Sequence, residues 1–107
     1  MSVSPRAKSL IELIRLTRKS LDLFREELKM TKRWSAAHQE AYNAWKRHLE
    51  DSEKHAREAS GKTPKAAWDL AAAQARDERE QWGRALRAAR EKRGKPIGLD
   101  VFEQPGS

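Results

Sequence analysis

Apolar residues recur in alternating steps of three and four along the first half of the chain. They run through Ala7, Leu10, Ile14, Leu21, Phe24 and Leu28, then resume through Tyr42, Trp45, Leu49, Ala56 and Ala59. That spacing places one side chain per turn on a common helix face and amounts to a heptad seam. Polar residues occupy seam positions at Thr17, Thr31, Ser35, His38 and Ser52. Thr31, Ser35 and His38 are consecutive, so the seam is weakest there. A second periodic stretch carries Trp68, Ala72, Ala75, Trp82, Leu86 and Ala89 on one face.

The punctuation agrees with two helical units. No glycine or proline occurs from Arg6 to Ser60, and these are the residues that most often interrupt helices. Ser4-Pro5 and Thr63-Pro64 each offer a hydroxyl at the N-cap and proline at the first helical position. Ser60-Gly61 and Gly94, with Pro96 behind it, supply stops. The predicted class is all-α, in one of two forms. The first is an antiparallel hairpin whose long first helix covers about 5–60, a rod on the order of 80 Å at about 1.5 Å per residue. In the second, that helix breaks near 31–35 with Ser35 as a new N-cap, giving a three-helix bundle of about 5–31, 35–60 and 64–93. Either way residues 1–94 form a single helical domain and 95–107 a C-terminal tail. The short link at 61–63 sets 64–93 antiparallel to about 30–59, pairing Ala41, Trp45 and Leu49 with Trp68, Ala75 and Trp82.

Residues 6–29 carry more apolar surface than one neighbouring helix covers. Leu13, Leu16, Leu23 and Met30 widen the arc beyond the seam, and Leu16, Leu23 and Met30 lie seven apart, nearly opposite Ile14 and Leu21. Such an arc requires burial from two sides: by the chain itself, by a second copy in a homo-oligomer, or by another protein. These four residues are the candidate protein interface.

Charge adds a second theme. The chain of 107 residues bears a formal +7, a balance that attracts polyanions. Residues 1–33 hold nine Lys/Arg against four acids, and residues 62–94 nine against five, whereas residues 34–61 hold four against five. On the first helix Arg15, Arg18, Arg25, Lys29, Lys32 and Arg33 share about a third of the wheel. Near the end of the last helix Arg84, Arg87, Arg90, Lys92 and Arg93 are opposed by Glu91 alone. Cations there also complement a helix C-terminal dipole. These eleven residues are the candidate contacts for nucleic-acid phosphate or an acidic protein surface, with little base readout because no helix-turn-helix, zinc-finger or RNP signature is present. The helical spacing of Trp45, Trp68 and Trp82 favours core over base stacking, whereas Trp34 lies at the weak stretch, where spacing favours core less.

Catalytic signatures are missing. There is no cysteine, hence no thiolate metal site, disulfide or thiol nucleophile. His38, His48 and His55 have no metal-ligand spacing, and the carboxylates of 50–53 and 77–80 read as helix-surface pairs with Lys54, Arg57, Arg76 and Arg84. The expectation is a non-enzyme without cofactor or metal. With no apolar leader and no apolar run near 18 residues, neither secretion nor membrane insertion is expected, and the default location is cytoplasmic. The functional expectation is a small basic helical subunit binding nucleic-acid backbone and protein partners in a larger nucleoprotein assembly. The alternative is an inhibitor or adaptor whose basic face docks on an acidic partner. In the tail, alternation of Ile97, Leu99 and Val101 predicts an extended segment.

Overall fold

The computed structural model describes residues 4–102. Among them the chain forms α1 (Pro5–Met30), α2 (Ala36–Ala59), α3 (Lys65–Glu91) and a 3-10 turn, Leu99–Phe102. The break near 31–35 is therefore real, and the bundle, not the rod, is the fold. Its extents are 47 × 24 × 22 Å. No helix of the described residues is long and apolar enough to cross a membrane.

The break has a local cause. Thr31 turns its hydroxyl back on the carbonyls of Glu27 and Leu28 (3.0 and 3.2 Å). Lys32 then adopts φ 57°, the left-handed conformation usually reserved for glycine. Its N–H donates to the Lys29 carbonyl (3.1 Å), and the Arg33 N–H reaches back to Leu28 (2.8 Å). That pair of bonds is a Schellman stop, with lysine where glycine is the usual signal. Ser35 restarts the helix: its Oγ accepts the His38 N–H (3.2 Å), and His38 Nδ1 accepts the Ser35 N–H (3.2 Å), closing a capping box with histidine in the third position. At the other end of α1 the hydroxyl of Ser4 caps Ala7 (3.2 Å), while the Ser4 N–H is held by Ser60 Oγ (2.9 Å).

The expected cap at Thr63 is not made. Pro64 is the N-cap of α3 and contributes no side-chain bond. The Thr63 hydroxyl instead satisfies the Ala59 carbonyl at the end of α2 (3.2 Å).

Two turns make the order up, down, up, so α1 and α3 run parallel. Here the expected pairing needs correction. The backbone of α3 packs most closely on α1, and α1 sits between the other two helices. Helices α2 and α3 meet through large side chains, chiefly Trp45 and Trp82, edge to face with centroids 5.2 Å apart. Seam residues Leu10, Ile14, Leu21, Phe24 and Leu28 are all buried, as are Tyr42, Trp45 and Leu49. So is Thr17, whose hydroxyl donates to the Leu13 carbonyl (2.8 Å). A buried hydroxyl satisfied within its own helix costs little.

The tail joins the same core. Phe102 is buried against Phe24, Trp34, His38 and Trp82, with centroids 5.2 to 6.2 Å away. It does so from a 3-10 turn, not the extended segment expected, and Leu99 is left exposed. Residues 103–107 of the tail lie outside the described residues.

Candidate functional site

Helices α1 and α3 are parallel, so their C-terminal ends emerge on the same end of the bundle. Arg33, just past α1, marks the junction. Its Nη1 donates to the carbonyls of Lys92 (2.8 Å) and Lys95 (2.6 Å), its Nη2 to Ala89 (2.8 Å), and its Nε to Thr31 Oγ1 (2.8 Å). A helix leaves its last carbonyls without intrahelical donors, and one planar guanidinium supplies them here. The two basic segments that the sequence holds some sixty residues apart are thereby brought within hydrogen-bond distance.

Residues 26–33 and 87–95 together contain eight cationic side chains and three carboxylates, a surplus of five within a chain surplus of seven. Glu27 is the buried counter-charge. Its Oε1 accepts from Arg93 Nη2 (2.7 Å) and Nε (2.9 Å), and Oε2 lies 3.7 Å from Arg90 Nε. Lys29, Lys32, Arg87, Lys92 and Lys95 are exposed and have no ion-pair partner among the described residues. The two helix C-termini each contribute a partial negative charge of roughly half a unit, which offsets about one of the five surplus charges and leaves the end cationic.

The remaining candidate cations are placed differently. Arg15 Nε binds Glu53 Oε1 (2.9 Å), and Arg18 Nη1 lies 3.8 Å from the other oxygen of that carboxylate, so both join α1 to α2. Arg25 lies over the Tyr42 ring at 4.6 Å and contacts Glu26 at 3.1 Å. With Arg33, four of the six candidates on the α1 stripe serve the fold. Arg84 points outward on α3, two residues and hence about 160° from buried Trp82. Carboxylate pairing also differs from the intrahelical pattern expected: Glu53 pairs across to α1, and Glu78 accepts from His48 Nε2 of α2 at 3.0 Å.

Of the candidate interface, Leu13 is half-buried against the core, while Leu16 (39%), Leu23 (41%) and Met30 (79%) remain exposed. The bundle therefore covers about half of the wide arc and leaves its outer edge free. The tryptophans belong to the core: Trp45, Trp68 and Trp82 are buried. Trp34 is half-buried, stacked on His38 with its Nε1 donating to Gln39 (3.0 Å). No group of three or more metal-ligating side chains is assembled among the described residues.

Tyr42 is the one strongly shifted titrating group among the described residues. Burial, then the hydrogen bond its hydroxyl donates to Asp22 Oδ1 (2.5 Å), push its pKa up to about 12. It stands in the α1/α2 contact, bonded to Asp22 and covered by Arg25.

Sequence reasoning missed Arg33 as a helix plug, the His48–Glu78 pair and the anchoring by Phe102. Only Phe102 had a legible signal, as the sole aromatic residue of the tail. No protein-family model, curated protein or solved structure matches this chain.

Proposed function

We propose that this chain is a non-catalytic nucleic-acid-binding subunit whose cationic end contacts backbone phosphates. The observation that carries the reading is the convergence of 26–33 and 87–95 on one end of the bundle, fixed by Arg33 on the Lys92 and Lys95 carbonyls. Lys29, Lys32, Arg87, Lys92 and Lys95 are the phosphate ligands in this reading, while Arg33, Arg90 and Arg93 hold the two helix ends together. Long, exposed ammonium and guanidinium groups suit phosphate oxygens, and such contacts carry no base code. Trp45, Trp68 and Trp82 are buried in the core, and Trp34, half-buried, is stacked on His38 and bonded to Gln39, which favours backbone over base contact.

A protein contact within the same assembly is favoured by a separate observation. Leu16, Leu23 and Met30 are exposed at heptad spacing along α1, the pattern a partner helix reads.

Fluorescence anisotropy tests the first reading, using labelled duplex and single-stranded DNA and RNA of mixed sequence at about 50 mM salt. Binding is expected with little preference among sequences. The triple variant K29E/K32E/K92E alters exposed side chains only and should lose at least about tenfold in affinity. Absence of binding to all of the probes, or unchanged affinity in the triple variant, overturns the assignment.

A further inference from the structure

At the end of the bundle opposite the cationic surface, α2 and α3 leave a cleft between them. Its origin is legible in the side chains. The edge-to-face contact of Trp45 with Trp82 holds the two helices apart. About two to four turns toward the α2–α3 link, the facing positions are Ala56, Ala59, Ala71 and Ala75, too small to fill a gap set by tryptophans. The result is a cleft of about 220 Å³ with Leu10 and Ile14 of α1 as its floor and Trp68 among its lining residues. Toward the other end the same inter-helix groove is filled by the chain itself. There Phe102 lies against His38 of α2 and Trp82 of α3, and Val101 accepts from Gln81 (3.3 Å). The groove thus already takes one aromatic ring, and its alanine-lined half has room for another.

Glu78 is the lining residue that brings an acidic charge to the cleft. Its side chain is 13% exposed, and His48 Nε2 donates to it. A carboxylate offers about four acceptor positions, so one imidazole donor leaves capacity for a cation. An apolar slot with a carboxylate at its edge recognises a ring joined to an ammonium by a short linker. Size argues against a helix as occupant. The α2 wall runs only from Ser52 to Ala59, about 10 Å at helical rise. We propose that this cleft is a binding site for a small arylalkyl amine, with the ring among Ala56, Ala71, Ala75 and Trp68 and the ammonium on Glu78. The site is independent of the cationic end and of its proposed function.

The test is a two-dimensional NMR titration of the full chain, following the Trp68 indole N–H, with phenethylamine, 2-phenylethanol and decanoate as probes. Phenethylamine should bind in the low-millimolar range or tighter, and at least about fivefold better than 2-phenylethanol, because a charged pair adds to the same ring burial. Glu78→Gln should remove that advantage, weakening the amine about fivefold while moving the alcohol less than about twofold. Ala71→Leu fills the slot from a half-buried position and should weaken both by about tenfold or more while the chain keeps its helical circular dichroism. Should Ala71→Leu fail to fold, Glu78→Gln still decides the matter. Equal binding of amine and alcohol, a silent Trp68 resonance, or amine affinity unchanged in Glu78→Gln each overturns the proposal. So does tighter binding of decanoate, which would mark an acyl-chain site, or sedimentation showing a dimer that Ala71→Leu dissociates, which would mark a second copy as the occupant.

Discussion

Lys32 shows how one residue both hid and made the break in the first helical stretch. A non-glycine residue in the left-handed region is held at a cost of about 1 kcal/mol or more, and here two backbone bonds to Leu28 and Lys29 hold it there. Lys32→Gly relieves that strain but adds unfolded-state freedom. Its urea midpoint should match or exceed the parent's, by up to about 1 kcal/mol, whereas Lys32→Val should lose about 1 kcal/mol or more. Equal losses for both would show that Lys32 is not strained. Tyr42 provides a pH-dependent counterpart. Folding raises its pKa from 10.0 to about 12, through burial first and the Asp22 bond second. Because the folded value lies above the unfolded one, the fold favours the protonated phenol. Its contribution is complete below pH 10 and is lost as pH rises through 12. The stability difference between the parent and Tyr42→Phe should therefore shrink across that window by about 2 kcal/mol. A difference that stays constant from pH 9 to 12 contradicts the assignment.

Between elements, ties that no heptad pattern encodes hold the bundle's ends. Ser4 binds Ser60, Arg33 plugs α3, and His38 Nε2 donates to the Ile97 carbonyl (3.3 Å). His38 is consistent with a single tautomer, since its Nδ1 accepts from Ser35 while its Nε2 donates. The tail is the element whose importance the sequence understated. Phe102 contributes to a cluster that includes Phe24, Trp34 and Trp82, so Phe102→Ala should destabilise the chain by about 3 kcal/mol in urea unfolding. A loss below about 0.5 kcal/mol would make the tail a mere appendage. Helix positions were legible because burial follows the 3.6 period: every seam residue from Ala7 to Leu28, and from Tyr42 to Ala56, is buried except the serine at 52. The caps were legible only where their signals were unambiguous. Ser4 and Ser35 cap as their sequence suggests, but Thr63 serves the helix behind it, because a hydroxyl beside a link can reach either way.

For the whole molecule, helix direction decides where the charge collects. An unbroken first helix would also have set residues 30–33 beside 91–94, but part-way along a rod, with 5–29 running on beyond the junction. The extra turn at 31–35 makes α1 and α3 parallel, which concentrates five of seven surplus charges at one end. The same turn places α1 between its neighbours, covers the inner half of the wide apolar arc, and leaves Leu16, Leu23 and Met30 outside. If about three to five ammonium or guanidinium groups of the cationic end meet phosphate, the logarithm of affinity should fall with the logarithm of salt at a slope of about −3 to −4.5 for duplex. A slope near zero would point away from phosphate altogether. By itself the sequence determined the helical class, the inner faces of the helices, Trp45, Trp68 and Trp82 as core and the two basic segments as segments, since all of these follow from local periodicity, capping and composition, while it left the first stretch as either one helix or two. The tertiary structure alone decided that Arg15, Arg18, Arg25 and Arg33 serve the fold, that the basic segments meet at one end of the bundle through Arg33, and that α2 and α3 leave a cleft. Those outcomes depend on which helix lies beside which, and that choice is made by the packing of side chains distant in sequence.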